Sequence, residues 1–134
     1  MKKQISTGRI ILIAIIIESV LILLQFLSIG FGTSGKIDTA YIQSRGFFIF
    51  QILGFFAYAI TAFYLCRKHT PEIVKMLVIL VITGAVIELG FYIISAAQYR
   101  GVYLYSITDK LIGAVTGWIV GLYSTRWKNI DIPQ

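Results

Sequence analysis

The chain has 134 residues, of which 57% are hydrophobic and 13% are charged, and its mean hydropathy is +0.83. Soluble domains carry about 25% charged and about 45–50% apolar residues. The composition therefore excludes an ordinary soluble globule and predicts an all-α integral membrane protein with one domain, 1–134. The net charge of +6 does not indicate nucleic-acid binding, because the basic residues cluster where membrane topology places them, at the ends of apolar runs.

The first apolar run, 10–31, is predicted to be a transmembrane helix, since about 20 helical residues cross about 30 Å of hydrocarbon. Lys2, Lys3 and Arg9 precede it, as basic residues precede the apolar part of a secretory signal. However, the run carries Glu18, and no clear A-x-A-like cleavage site follows it. We interpret it as a retained first helix.

The segment 32–45 is rich in Gly, Ser and Thr and predicts a surface loop, and the second predicted helix covers 46–65. Cys66 follows as the only cysteine of the chain, so no intrachain disulfide is expected. It is either a small apolar filler or a palmitoylation site. His69 has no cysteine or carboxylate partner at ligand spacing, so no metal site is predicted.

The third predicted helix covers 73–97 and the fourth covers 104–125. The fourth is interrupted by two charged residues, Asp109 and Lys110. Two alternatives remain open for it. Either the helix starts near Tyr103 with the charged pair below the membrane interface, or the helix is short and the bilayer thins around it.

Lysine and arginine fall unevenly on the two sides of this four-helix arrangement. The richer side is expected to be cytoplasmic, which places both termini in the cytoplasm of a multi-pass cell-membrane protein. The side with fewer basic residues holds Lys36, Arg45, Arg100 and Lys110; the side with more holds Lys2, Lys3, Arg9, Arg67, Lys68, Lys75, Arg126 and Lys128.

The helices form two predicted hairpins, and these could be a parallel tandem repeat, because the first helix of each carries a glutamate.

Glu18 and Glu88 lie near the middle of the first and third apolar runs. An acidic residue there costs roughly 2.5–3.5 kcal/mol on insertion scales, so each is expected to face a packed interior or a polar cavity. At helical spacing Glu18 shares a stripe with Gln25, and Glu88 shares one with Tyr92. Together with Asp109, these four residues are the candidate substrate- or proton-binding residues.

No basic residue is expected at the depth of the two glutamates, because Arg45, Arg100 and Lys110 are assigned to the outer interface. Three interpretations remain open. The carboxyls are neutral and hydrogen-bonded as structural links between helices, or they titrate and bind a proton or a cationic substrate. In the third, they meet a basic group on a partner protein or lipid.

Gly113, Gly117 and Gly121 repeat every four residues along the fourth helix. Missing side chains on one face allow close approach of another helix, so these glycines are predicted to be a packing ridge. Asp109 lies one turn earlier on the same ridge. It either points into the bundle or is a solvated residue at the start of the helix, where the helix dipole favours it.

Four basic residues, Arg67, Lys68, Arg126 and Lys128, cluster at the cytoplasmic ends of the second and fourth helices. They are candidate binding residues for phosphate headgroups of lipids. The chain has no glycine-rich phosphate loop, no metal-ligand cluster and no Ser/His/Asp arrangement. Neither enzymatic activity nor a cofactor is therefore predicted.

The segment 87–91, IELGF, resembles the "LDLG-F"-like run of the GtrA-like family of small four-helix membrane proteins. The segments 66–68, CRK, and 125–127, TRW, are similar to the cytoplasmic signature with which that family closes its hairpins. The resemblance covers almost the whole chain. It implies a role in translocating or presenting polyprenyl-phosphate-linked sugars for cell-envelope glycosylation.

The first helix is also similar to that of the small multidrug resistance transporters, since Ser28, Gly30 and Phe31 lie at similar offsets from Glu18. The long first loop and the second glutamate argue against membership. Two alternative functions thus stand beside the GtrA-like one. They are a proton-coupled exporter of small cations that works as a dimer, and a non-catalytic membrane subunit. The subunit would use the glycine ridge to bind a partner such as a membrane glycosyltransferase.

Overall fold

The computed structural model describes residues 5–32, 45–68, 72–94 and 101–127. These residues form four α-helices, and the predicted all-helical fold is therefore confirmed. Within the described residues, the predicted helix bounds lie close to the observed ones; residues 95–97 of the predicted third helix and 33–44 of the predicted first loop lie outside them. The helices are α1 (Thr7–Gly32), α2 (Arg45–Lys68), α3 (Ile73–Ile94) and α4 (Gly101–Trp127).

Helices α1, α2 and α3 are long and apolar enough to cross a membrane. Their outward faces carry large apolar side chains such as Leu12, Phe48 and Val86, which are more than half exposed. A helix that is apolar on all faces is typical of a membrane span. In lipid, a helical backbone also satisfies its own hydrogen bonds. The bundle thus presents to its surroundings the surface expected of a protein in a bilayer.

Helix α4 is not among these three apolar helices, and it carries Asp109 and Lys110. It has 27 residues, which corresponds to about 40 Å at about 1.5 Å per residue. The helix therefore starts before the charged pair, as in the first of the two alternatives, and is not the short helix of the second. The interpretation of Asp109 as a solvated helix-start residue is wrong, because Asp109 is half-buried and lies more than two turns after Gly101.

The most extensive helix packing joins α2 to α4. Along this contact Gly113 faces Phe55 and Gly117 faces Ala59. Because the residue numbers rise together on both helices, α2 and α4 run parallel. The most extensive packing therefore joins one helix of each predicted hairpin, whereas successive helices contact each other less.

The second most extensive contact joins α1 to α3. Glu18 lies against Gly84 and Gln25 is hydrogen-bonded to Tyr92, so these two helices are parallel as well. Both predicted polar stripes face the interior, since the residues on them that the structure describes are buried. They are Ala14, Glu18, Leu21 and Gln25 on α1, and Gly84, Glu88 and Tyr92 on α3.

The three glycines of α4 form the close contact with α2. A Cβ atom on Gly117 would lie 2.7 Å from the carbonyl carbon of Ala59, and one on Gly121 would lie 2.8 Å from Cβ of Cys66. Both distances are too short for a real side chain, so this approach requires glycine. The predicted packing ridge is thus filled by α2 of the same chain. A partner protein cannot pack on it while α2 is in place.

One end of the bundle, which holds the N-terminal parts of α1 and α3, has an apolar core. Cys66 is completely buried there, which favours its interpretation as an apolar filler over an accessible site of palmitoylation. The other buried side chains include Ile10, Ala14, Ala62, Leu65, Ile73, Met76, Leu77, Leu80 and Ala114.

Candidate functional site: a buried Glu–Lys–Glu network

Lys110 of α4 lies between two carboxylates in the interior of the bundle. Its Nζ atom is 2.9 Å from Oε2 of Glu18 and 2.7 Å from Oε2 of Glu88. The Lys110 side chain is 4% exposed and each glutamate side chain is 1% exposed. Each contact is therefore both an ion pair and a charge-assisted hydrogen bond between buried side chains.

The expectation that the two glutamates have no basic partner in the chain is wrong. The predicted helix bounds put Lys110 at the outer interface, but α4 begins by Gly101, so Lys110 lies well inside the helix. Its aliphatic stem packs over Gly54 of α2, where a Cβ would lie 3.8 Å from Cε of the lysine. The signal that could have identified Lys110 is that it interrupts an apolar run, as the glutamates do.

Tyr58 of α2 completes the network on the side of Glu18. Its hydroxyl donates a hydrogen bond of 2.5 Å to Oε1 of Glu18, and its side chain is fully buried. Lys110 Nζ also lies 5.8 Å from the centre of the Tyr58 ring. Glu18 thus has a donor on each of its two oxygens. Tyr58 and Lys110 were not among the candidate residues predicted from the sequence.

Glu88 is held less completely than Glu18. Its Oε2 accepts a hydrogen bond from Lys110, whereas its buried Oε1 accepts none of standard geometry from the residues that the structure describes. Ser106, which is 1% exposed, lies on α4 beside this carboxylate. Glu88 is therefore the member of the network with acceptor capacity to spare.

The charges of the network do not balance. Two carboxylates face one ammonium group, so the fully ionised Glu18–Lys110–Glu88 network carries one net negative charge. An uncompensated charge inside a low-dielectric bundle costs several kcal/mol. One further positive charge, carried by a proton or a small cation, would neutralise the network.

A second polar cluster lies next to the network along α1 and α3. Gln25 Nε2 donates a hydrogen bond of 3.1 Å to the Tyr92 hydroxyl, and both side chains are buried. The ring of Tyr103 packs against that of Tyr92 with 6.1 Å between centroids. The Tyr103 hydroxyl donates to the backbone carbonyl of Ala85 at 3.0 Å. The structure thus brings four predicted site residues, Glu18, Gln25, Glu88 and Tyr92, into one polar interior.

Asp109, the fifth predicted site residue, is not part of this polar interior. It is half-buried, and within the described residues no ion pair or side-chain hydrogen bond holds it. Its neighbour Lys110 is buried. Adjacent residues of a helix point in different directions, so only one member of this charged pair enters the network.

The predicted headgroup-binding residues Arg67, Lys68 and Arg126 are exposed. They lie at the same end of the bundle because α2 and α4 run parallel. Lys68 Nζ is hydrogen-bonded to the hydroxyl of Tyr64 at 2.7 Å. Lys128, the fourth residue of this set, lies outside the described residues.

An apolar groove of about 310 Å³ opens on the outer surface of the bundle between α3 and α4. Its walls are aliphatic except for one indole ring, so it suits a hydrocarbon chain better than a polar ligand. The lining residues include Val74, Val78 and Val81 of α3, and Leu111, Val115 and Trp118 of α4.

Comparisons with protein-family models, with curated proteins and with solved structures give no match for this chain. Its function is therefore inferred from the contacts of its own residues.

Proposed function

We propose that this chain is a small membrane transport protein whose proton- and cation-binding site is the Glu18–Lys110–Glu88 network. All four helices cross the bilayer in this proposal, with α4 as the fourth span, because its lysine faces the interior rather than lipid. Parallel packing of α1 with α3 and of α2 with α4 is what alternately crossing helices produce. The distribution of lysine and arginine favours cytoplasmic termini.

The observation that supports this function is the missing positive charge. Intramembrane ionisable residues are rare and typically line the paths of protons, ions or substrates. Here two carboxylates share one ammonium, and Oε1 of Glu88, with Ser106 beside the carboxylate, accepts no hydrogen bond of standard geometry within the described residues. If the network only joined helices, equal numbers of positive and negative groups would be more stable, since each unpaired buried charge is costly.

Competition for the same oxygens gives a simple mechanism. When Glu88 takes up a proton it becomes a weaker partner for Lys110, and it no longer attracts a second cation. When Glu88 is ionised, its carboxylate can bind a small cation beside Lys110. Proton and cation therefore exclude each other at Glu88, which is the requirement for exchanging one for the other across the membrane.

Purified protein in liposomes that contain a pH-sensitive dye tests this function. Small amines, quaternary ammonium ions and alkali cations are added outside, and the expected response to at least one of them is alkalinisation of the lumen. Glu88→Gln is expected to abolish the response. Glu72→Gln is the matched control, because Glu72 lies before α3 and outside the network. If none of these cations moves protons through the wild-type protein, the proposal is wrong.

The apolar groove favours a second candidate function, the binding of polyprenyl-phosphate-linked sugars that the GtrA-like resemblance implies. The groove extends between Val74 and Trp118, and Arg126 lies two turns beyond Trp118 on α4. An isoprenoid chain in the groove would have its phosphate near this basic residue and near Lys75, both of which are exposed. A glycosyltransferase partner, predicted from the glycine ridge for the membrane-subunit alternative, remains a prediction.

Binding of a polyprenyl phosphate can be measured by native mass spectrometry. Arg126→Gln and Val78→Trp, which fills the groove, are each expected to weaken binding. Glu88→Gln is expected to leave it unchanged. Equal affinity of the wild-type protein for polyprenyl phosphate and for a neutral polyprenol would count against this candidate.

A further inference from the structure

We infer that, in this conformation, the Glu18–Lys110–Glu88 network is reached from one end of the bundle only, the end that holds the C-terminal parts of α1 and α3; transport requires a second conformation that opens the other end. This inference rests on the proposed transport function and adds the route of the proton or cation. The network separates two parts of the interior. The polar half consists of Gln25, Tyr92, Tyr103 and Ser106; the apolar half consists of Ile10, Ala14, Ala62, Leu65, Met76, Leu80 and Ala114.

The polar half lies on one side of the network. Gln25 comes two turns after Glu18 on α1, and Tyr92 comes one turn after Glu88 on α3. Because the rings of Tyr92 and Tyr103 are in contact, the start of α4 lies on the same side.

Hydroxyl and amide groups lie on this side at several levels, the nearest of them beside Glu88. Ser106 lies beside the Glu88 carboxylate, and the hydrogen-bonded pair Gln25–Tyr92 follows farther out. Tyr103 adds a third hydroxyl, held by the Ala85 carbonyl. Such groups can orient water and exchange protons with it.

The polar half also contains apolar side chains. They exclude one side of it as a path for polar species. Leu21, Phe47 and Phe50 are buried on the side of α1 and α2. Most of the polar groups belong to α1, α3 and α4, and α2 adds Gln51, whose Nε2 is buried. The route is therefore assigned to the space along α1, α3 and α4.

The apolar half closes the other side of the network. Among the described residues, every fully buried side chain beyond the level of Tyr58 in that direction is aliphatic, a thioether or a thiol. The buried indole N–H of Trp118 on this side is a donor only, so it cannot bind a proton or a cation. A proton or cation that entered there would lose its hydration without gaining a polar partner, which costs several kcal/mol. The interior is thus open to polar species in one direction and closed in the other.

Glu88 is the member of the network that meets this route. Its Oε1 is the open acceptor, whereas Glu18 is closed off by Tyr58 and Lys110. The titratable groups around Glu88 are Glu18 from α1, Tyr58 from α2, Lys110 and Tyr103 from α4, and Tyr92 on its own helix. By the lysine and arginine distribution, the open end faces away from the cytoplasm.

Two buried residues of α4 provide a matched test. Ser106 is 1% exposed and belongs to the polar half, whereas Ala114 is 2% exposed and belongs to the apolar half. Each is replaced by cysteine, Ser106→Cys or Ala114→Cys, in a Cys66→Ala background. The probe is a membrane-impermeant cationic methanethiosulfonate, added to the outside of intact cells that express the protein.

Ser106→Cys is expected to react at least about tenfold faster than Ala114→Cys, because only its side of the interior can solvate the cationic probe. Equal rates, or no reaction of Ser106→Cys in folded protein, overturn the inference. Deuterium exchange of the carboxyl proton of Glu88, followed by infrared spectroscopy on the wild-type protein, is a second measurement that needs no variant in the route. Exchange is expected in D₂O, and its absence would show that water does not reach Glu88 and would also overturn the inference.

The accessibility test is independent of transport. If no cation drives proton movement but Ser106→Cys reacts selectively, the transport function fails and one-sided access stands. If transport is observed but Ala114→Cys reacts as fast as Ser106→Cys, the transport function stands and the route is wrong.

Discussion

Gly84 of α3 and Tyr58 of α2 occupy complementary space, because the missing side chain of the glycine leaves room for the tyrosine hydroxyl. A Cβ atom on Gly84 would overlap that hydroxyl and would lie 2.8 Å from Oε1 of Glu18. The hydrogen bond between Tyr58 and Glu18 therefore depends on glycine at this position. The space left by Gly84 on α3 thus permits the hydrogen bond between Tyr58 of α2 and Glu18 of α1.

Gly84→Ala is expected to lower the free energy of unfolding by about 1–3 kcal/mol, since the new methyl group displaces a buried hydrogen-bonded hydroxyl. Gly90→Ala is the matched control on the same helix, because a Cβ there meets nothing within 4 Å. It is expected to be neutral or to stabilise the helix by up to about 1 kcal/mol. Thermal unfolding in detergent measures both, and equal stabilities would show that the fit of Tyr58 against Gly84 contributes nothing.

Lys110→Met is expected to destabilise the protein by about 3–5 kcal/mol, because it leaves two carboxylates together in the interior without a counter-charge. Adding Glu18→Gln and Glu88→Gln to Lys110→Met is expected to restore most of this loss. Removing the whole network removes the buried charges that need a partner. Denaturant unfolding of the single and triple variants measures the difference.

Lys75→Met is the control for that series, since Lys75 is exposed on α3. Its effect is expected to be within about 0.5 kcal/mol. A triple variant no more stable than Lys110→Met alone would mean that the lysine stabilises the bundle by its packing rather than by its charge.

Gly117→Ala is expected to separate α2 from α4 and to destabilise the fold by about 2 kcal/mol or more, because its Cβ would overlap the backbone of Ala59. Gly8→Ala provides the control, since a Cβ on Gly8 meets nothing within 4 Å. Unfolding and size-exclusion profiles of both variants are compared. Normal stability of Gly117→Ala together with loss of a larger assembly would instead support a ridge that binds a partner.

Cys66 is expected to be unreactive toward maleimide dyes in the folded protein and to react on unfolding. Its side chain is fully buried, and its sulfur lies against the Gly121 position of α4. The time course of dye fluorescence during heating therefore reports unfolding in the other variants. Fast labelling of native protein would contradict the close packing of α2 against α4.

Periodicity and burial cost explain what could be predicted from the sequence. Apolar runs of about 20 residues identify helices that cross a bilayer. Because an acidic group in contact with lipid is costly, Glu18 and Glu88 were predicted to face the interior. Gln25 and Tyr92 followed because helical spacing places them on the same faces.

Lys110 could not be located in the same way. A lysine near a predicted helix end can extend either to the interface or into the bundle, and its long stem permits both. The choice is made by contacts with α1 and α3 that are distant in sequence. Similarly, Gly113, Gly117 and Gly121 predicted a close helix contact, but a repeat of small residues does not say whether the other helix belongs to the same chain.

The close contact between α2 and α4 groups the four helices into two pairs, α2–α4 and α1–α3. The backbones of α2 and α4 are in contact at Gly113 and Gly117, so we expect these two helices to move as one unit. Lys110 and Tyr58 belong to this unit, whereas Glu18 and Glu88 belong to the α1–α3 pair. The ion pairs of Lys110 with Glu18 and Glu88 therefore connect the two helix pairs. A proton that neutralises one of these carboxylates is expected to weaken the interaction between the pairs. In this molecule a change of charge is also a change in how firmly its two halves are held.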